Sequence, residues 1–171
     1  MRGDKIGVIG PNGAGKTTTI KMAVGLLQPT KGTISICGHD VVREHREANM
    51  LVGYVPDQPH LYDKLSGRET LEFIAQMYGL PPKEAVASVQ QQIATFELDE
   101  FVDQLTENYS HGMKQRTVFA SALVHKPAVL IVDEPMVGLD PRSMRLVKDL
   151  LRREATAGAC VFMSTHTLAV A

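Results

Sequence analysis

The sequence predicts an α/β fold with a largely parallel sheet, and three observations carry that expectation. Short apolar runs alternate with segments of helical spacing over most of the 171 residues. One such run, Lys5-Ile6-Gly7-Val8-Ile9, passes through a glycine-rich turn straight into a helical pattern. Another, Val129-Leu130-Ile131-Val132, is unbroken aliphatic, as suits a central parallel strand covered on both faces, and it ends in Asp133-Glu134.

Taken in order, the first strand is expected at Ile6–Ile9. Lys16 to Leu27 follows as a helix, with Ile20, Ala23, Val24 and Leu27 at helical intervals. Strands are expected at Thr33–Ile36 and Val52–Val55. Cys37 closes the former and reads as a small buried thiol; with His39 and His45 it matches no common zinc spacing. A long stretch without strand character comes next. It opens on Ser66-Gly67-Arg68-Glu69, a capping box in which hydroxyl and carboxylate satisfy each other's backbone donors. That helix runs to about Tyr78, where Gly79 and Pro81-Pro82 break it. A second helix, from about Lys83 to Phe96, sets Val86, Val89 and Ile93 on one face. A third starts near Ser110 and carries Val118, Leu123 and Val124. The remaining strands are Val129–Asp133 and Cys160–Met163. The pattern is one domain, 1–171, with an α/β core at 1–62 and 125–171 and a helical subdomain inserted at 63–124.

Composition excludes several classes. At 44% hydrophobic and 22% charged the chain is an ordinary globular one, and its net charge of −1 provides no field for nucleic acid or anionic lipid. No apolar run approaches the ~20 residues of a membrane span, and Met1-Arg2-Gly3-Asp4 does not open a signal peptide. Cys37 and Cys160, far apart in sequence, make no disulfide framework, which points to the cytosol.

The turn after the first strand carries the chemistry. Gly10-Pro11-Asn12-Gly13-Ala14-Gly15-Lys16-Thr17-Thr18 fits G-x-x-x-x-G-K-[ST], in which glycines let successive backbone N–H groups point inward at phosphate oxygens. Lys16 would reach the β- and γ-phosphates of a nucleotide and Thr17 would put its hydroxyl on Mg²⁺. Asp133 and Glu134 stand at the carboxyl end of a strand, where open α/β sheets bind ligands. Asp133 is suited to Mg²⁺, and Glu134 to taking a proton from an attacking water. After Cys160–Met163 comes Ser164-Thr165-His166, whose imidazole either contacts the γ-phosphate or orients the water, or is simply structural. Asp57 and Gln58 follow Val52–Val55 and Pro56; by themselves they read equally as turn residues. In Tyr109-Ser110-His111-Gly112-Met113-Lys114-Gln115-Arg116, Ser110 caps a helix whose start either binds an anion or is an ordinary N-cap.

Together these residues resemble the ATP-binding subunits of ABC transporters, which have a P-loop NTPase core. Gly10–Thr17 resembles the Walker A motif and Val129–Glu134 the Walker B motif, with Glu134 as catalytic glutamate. Gly138-Leu139-Asp140 resembles the D-loop, and His166 the switch histidine. Tyr109-Ser110-His111-Gly112-Met113 resembles the signature, commonly Leu-Ser-Gly-Gly-Gln. Tyr-Ser-His-Gly-Met-Lys-Gln-Arg, with Asp-Glu-Pro-Met-Val-Gly-Leu-Asp-Pro after it, is similar to prokaryotic ABC-2-type exporters. The resemblance implies ATP and Mg²⁺, and a second ABC ATPase domain in a homo- or heterodimer. Each ATP would lie between the Walker A of one chain and Ser110, His111, Gly112 and Met113 of the other. It also implies an integral membrane permease docked near Asp57–Tyr62 and the helical block, no nucleic acid, and a place in the cytoplasm, peripheral on the cytoplasmic face of the membrane.

The sequence departs from that family at several points. Asp57 stands where the family has its Q-loop glutamine and Gln58 follows it, so either fills that role. His111 and Met113 replace a Gly and a Gln of the signature. No aromatic residue precedes Lys16 to stack on adenine, and five residues follow His166. The chain reads as a domain cut at both ends, so its own ATPase activity is open. Two other readings compete: a non-transport ABC ATPase, and a remnant that binds nucleotide weakly or not at all.

Overall fold

The computed structural model describes residues 4–11, 13–136 and 141–165. Contacts divide the chain into two units. The described residues of the first are 4–11, 13–57, 127–136 and 147–165; those of the second are 58–126 and 141–146.

The first unit is built on four parallel strands, β1 (Lys5–Ile9), β4 (Val52–Val55), β5 (Val129–Asp133) and β6 (Cys160–Thr165), in the order β1-β6-β5-β4. Leu130, Ile131 and Val132 of β5 are buried, as the unbroken aliphatic run requires of a strand paired on both sides. β1 and β4 are the edge strands among the described residues, and Ile6 and Ile9 of β1 are each 46% exposed. Register aligns Ile9 with Thr165 and Asp133 with Ser164, so β1, β5 and β6 all end at one edge of the sheet.

Helix α1 (Lys16–Ala23) follows β1 and packs Ile20 and Val24 into a cluster with Ile36, Val41, Ala48, Val52 and Ile131. It stops short of Leu27. Gly25 turns left-handed (φ 73°), and the N–H groups of Gly25 and Leu26 donate to the carbonyls of Met22 and Lys21, at 3.2 and 2.8 Å, in a Schellman closure. Leu27 is therefore exposed rather than part of the helical face.

The strand expected at Thr33–Ile36 shortens to β2 (Ser35–Ile36), which pairs antiparallel with β3 (His39–Asp40) outside the parallel sheet. Their two-residue turn, Cys37-Gly38, has φ of 50° and 96°, the sign pattern of a type I′ hairpin. Cys37 is thus exposed at a hairpin tip, which corrects the expectation of a buried thiol. Helices α2 (His45–Met50) and α6 (Pro141–Thr156) complete the set; α6 buries Val147, Leu150, Leu151 and Ala155.

The second unit holds α3 (Gly67–Met77), α4 (Pro82–Thr95), a 3₁₀ turn at Thr106–Asn108, α5 (His111–Leu123) and the first six residues of α6. The capping box forms: Glu69 N–H donates to Ser66 Oγ at 3.2 Å, and Ser66 N–H donates to Glu69 Oε2 at 2.7 Å. Gly79 (φ 70°) ends α3 as expected. The buried stripe of α4 is Ser88, Val89, Gln92 and Ile93. Val86 is 70% exposed, against the sequence pattern, and Ser88 takes the inward position by donating its hydroxyl to the Val124 carbonyl at 2.5 Å.

Removing the cap tests this part of the fold. Ser66→Ala should lower stability by about 1 kcal/mol, read as a fall in urea midpoint. Its hydrogen bonds hold the Glu69 carboxyl below its ordinary range, the Ser66 backbone N–H acting most strongly. The contribution is therefore complete above the ordinary glutamate pKa and lost as pH falls through the lowered one. Glu69→Gln should remove that acid-side dependence.

Candidate functional site: a phosphate loop beside a buried carboxylate

The loop between β1 and α1 takes its shape from its glycines. Gly13 (φ 83°) and Gly15 (φ 87°) are left-handed, and a Cβ on Gly10 would come within 3.2 Å of that of Ala14. Ala14 N–H donates to the Pro11 carbonyl at 3.2 Å; Asn12 lies outside the described residues. Gly15 opens α1 with no side-chain cap and no acidic residue in the first turn, so the positive end of the helix is left to a ligand. Lys16 is only 8% exposed. Its ammonium donates to the carbonyls of Gly10 (2.7 Å) and Pro11 (3.1 Å) and lies 3.6 Å from Glu134 Oε1. Thr17 is half-buried and Thr18 exposed.

Across from the loop, Asp133 ends β5 fully buried. Ser164 on β6 ties the acids together: its hydroxyl donates to Asp133 Oδ1 and accepts the Glu134 N–H at 3.1 Å. Asp133 Oδ2 is buried with no hydrogen-bond partner among the described residues. A buried carboxylate oxygen of that kind is costly unless it meets a cation. A hard divalent ion that takes oxygen ligands and completes its shell with phosphates and water fits this donor. No group of three or more His, Cys, Asp or Glu among the described residues offers a protein-only cage. Glu134 adopts φ 48°, a left-handed conformation that costs about 1–2 kcal/mol for a residue with a Cβ. Such strain gathers at functional positions.

Sequence reading missed two contributors. Ser164 was visible only as a neighbour of His166; its role needs the register that sets it opposite Asp133. Tyr54, on β4, has its phenol pushed up to about 12, first by burial and then by the charges of Asp133 and Asp57. Asp57 and Gln58 are both exposed, and the boundary between the two units falls between them. His166 and Asp140 lie outside the described residues.

In the second unit, Ser110 caps α5. Its Oγ accepts the Met113 N–H at 3.3 Å, and no acidic residue stands in the first turn. His111 and Ser110 are exposed, and a Cβ on Gly112 would meet nothing within 4 Å.

Comparison with known proteins gives this geometry a family. The ABC transporter profile matches residues 1–137. The chain belongs to the ABC transporter family. It is 40% identical over 167 residues to an uncharacterized ABC transporter ATP-binding protein, YhcH, of Bacillus subtilis, covering 97% of this chain and 54% of that protein. It is 40% identical over 164 residues to the Nod factor export ATP-binding protein I of Burkholderia lata, covering 96% and 54%. The chain thus spans about half the length of these curated relatives. A solved structure titled as an ATP binding subunit of an ABC transporter superposes with a TM-score of 0.91 at 34% identity, covering 98% of this chain and 70% of that one. The α/β arrangement is accordingly that of a P-loop NTPase.

The Ser164 bridge is directly testable. In this ABC domain, Ser164→Ala strands Asp133 Oδ1 and the Glu134 N–H together, and should cost about 1–3 kcal/mol in a denaturant titration. Ser164→Thr, which keeps the hydroxyl, should recover most of that loss.

Proposed function

We propose that this polypeptide is the ATP-binding and hydrolysing subunit of a membrane exporter, acting as one of a pair of such domains on a separate permease. One observation carries the reading. The Lys16 ammonium, 2.7 Å from the Gly10 carbonyl, sits beside an uncapped helix start and 3.6 Å from Glu134, with the buried Asp133 in the same unit. The name of the Nod factor export relative supports export as the direction.

The residues divide the work. Backbone N–H groups of the loop Gly10–Thr18, where Pro11 has none to give, and the Lys16 ammonium bind the β- and γ-phosphates. Asp133 and Thr17 would hold Mg²⁺, which when bound neutralises phosphate charge. Glu134 accepts a proton as water attacks the γ-phosphorus. A new P–O bond forms, the bond to the β–γ bridging oxygen breaks, and ADP leaves with that electron pair. His166 orients that water or meets the γ-phosphate, and Asp57 or Gln58 fills the Q-loop position.

Ser110, His111, Gly112 and Met113 serve the nucleotide of a second ABC ATPase domain, with Asp140 in the D-loop between the pair. On this reading the α/β core is 1–62 and 125–171 and the helical subdomain 63–124; the contact units divide at other positions, after Asp57 and Lys126, and the second also takes 141–146. The permease would carry the membrane spans; no helix among the described residues is long and apolar enough to cross a bilayer. The subunit would then sit on the cytoplasmic face.

Two substitutions test this in the intact polypeptide. Glu134→Gln should cut ATP turnover by about 100-fold or more while ATP still drives pairing; parental turnover would remove Glu134 as the base. Ser110→Ala should leave Mg-ATP affinity of the monomer unchanged and raise the ATP needed for pairing. An equal loss in the monomer would contradict a role in trans.

A further inference from the structure

We propose that the hydroxyl of Tyr109 is a positioning device for the signature serine, seated in a pocket that only a glycine at position 67 leaves open. The inference rests on the in-trans reading of Ser110 given above and names the residues that hold that serine in place.

Tyr109 immediately precedes Ser110 and is 6% exposed. Its hydroxyl donates to the Phe101 carbonyl at 2.9 Å and accepts the Gly67 N–H at 3.1 Å. One side chain therefore joins the start of α3, the segment after α4 and the start of α5. Gly67 is a first-turn helical residue with ordinary backbone angles, so conformation does not demand glycine there. Space does: a Cβ on Gly67 would lie 2.5 Å from Tyr109 Oη and 3.2 Å from the Val102 carbonyl. Both neighbours are held, since Val102 also accepts the Arg68 N–H at 2.9 Å.

Phe101 meets two side chains of this segment and of α5. Its ring meets that of Tyr109 edge to face at 5.0 Å, and the Arg116 guanidinium lies 4.9 Å from its centroid. Arg116 also donates to the carbonyls of Phe96 (3.3 Å) and Glu97 (3.0 Å), closing the end of α4 from α5. The helix that starts at the signature is thus clamped one residue before Ser110 and six residues after it. The phenol must stay protonated to donate, and burial, with the charge of Asp103, pushes it up against the lowering effect of the Gly67 hydrogen bond. Without the hydroxyl, the buried Gly67 N–H loses its partner, the Phe101 carbonyl keeps only the Gln104 N–H at 2.9 Å, and the turn bearing Ser110 is free to shift.

The test uses the intact polypeptide carrying Glu134→Gln, with Mg-ATP as ligand. Sedimentation measures the ATP concentration for half-maximal pairing, calorimetry the monomer's ATP affinity, and circular dichroism the folded fraction. Tyr109→Phe should leave monomer affinity within about twofold and raise the ATP needed for pairing about tenfold, with the chain still folded at the assay temperature. Gly67→Ala should do the same through the clash. Because removing the hydroxyl relieves the 2.5 Å contact and leaves only the 3.2 Å one to the Val102 carbonyl, the double variant should lose less than the two single losses combined. Should Gly67→Ala fail to fold, recovery of folding in the double variant reports the same coupling. Tyr109→Phe pairing at the parental ATP concentration, while Ser110→Ala does not, overturns the positioning role and leaves the signature reading standing. Parental pairing by both overturns the signature reading and this inference with it.

Discussion

Parallel pairing of β1, β6 and β5 in one register is the constraint on which the site depends. It sets Ile9 opposite Thr165 and Asp133 opposite Ser164. The glycine loop after β1, the acids after β5 and the hydroxyl of β6 therefore emerge at one sheet edge, although 155 residues separate Gly10 from Thr165. The Ser164 hydroxyl then fixes both acids at once, one through its carboxylate and one through its backbone N–H. A slip of one residue in β6 would turn that hydroxyl to the other face of the sheet.

Two helices, α1 and α5, begin at the candidate phosphate contacts. α1 and α5 both start without an acidic residue in the first turn, as α6 also does; what distinguishes the two is the residue before each, Gly15 with no side-chain cap in one case and the exposed Ser110, which accepts the Met113 N–H, in the other. Asp or Glu there is stabilising because it offsets the dipole. α3 has one, with Glu69 closing its cap. Within one small chain, then, a structural helix start and two anion-ready ones differ in the residue types that the chemistry predicts. Each anion-ready end belongs to a different contact unit.

Much of this was legible in advance, wherever a local rule suffices. The strand-loop-helix around Lys16, the aliphatic β5 with its two acids, the Ser66–Glu69 box and the Ser110 cap each depend on residues within a few positions of one another. What escaped depends on partners distant in sequence or on backbone sign. α1 ends at Ala23 because Gly25 turns left-handed, a stop that the apolar spacing through Leu27 concealed. Cys37 followed a β-rich run and read as buried, yet a two-residue turn with positive φ sets it at a hairpin tip. Val86 matched the helical period, but Ser88 took the inward place because the Val124 carbonyl needed a donor. Ser164 and Tyr109 look ordinary in sequence, since their partners lie 31 and 42 residues away.

The central claim is that a cradle of amides and one ammonium grips a triphosphate while Asp133 meets its metal. Calorimetric titration of ATP into the intact polypeptide, with magnesium and with a chelator, tests it most directly. The account predicts saturable binding that tightens when magnesium is present, and no heat above dilution for Lys16→Ala. Parental affinity in Lys16→Ala, or a parental chain indifferent to Mg-ATP, would contradict it.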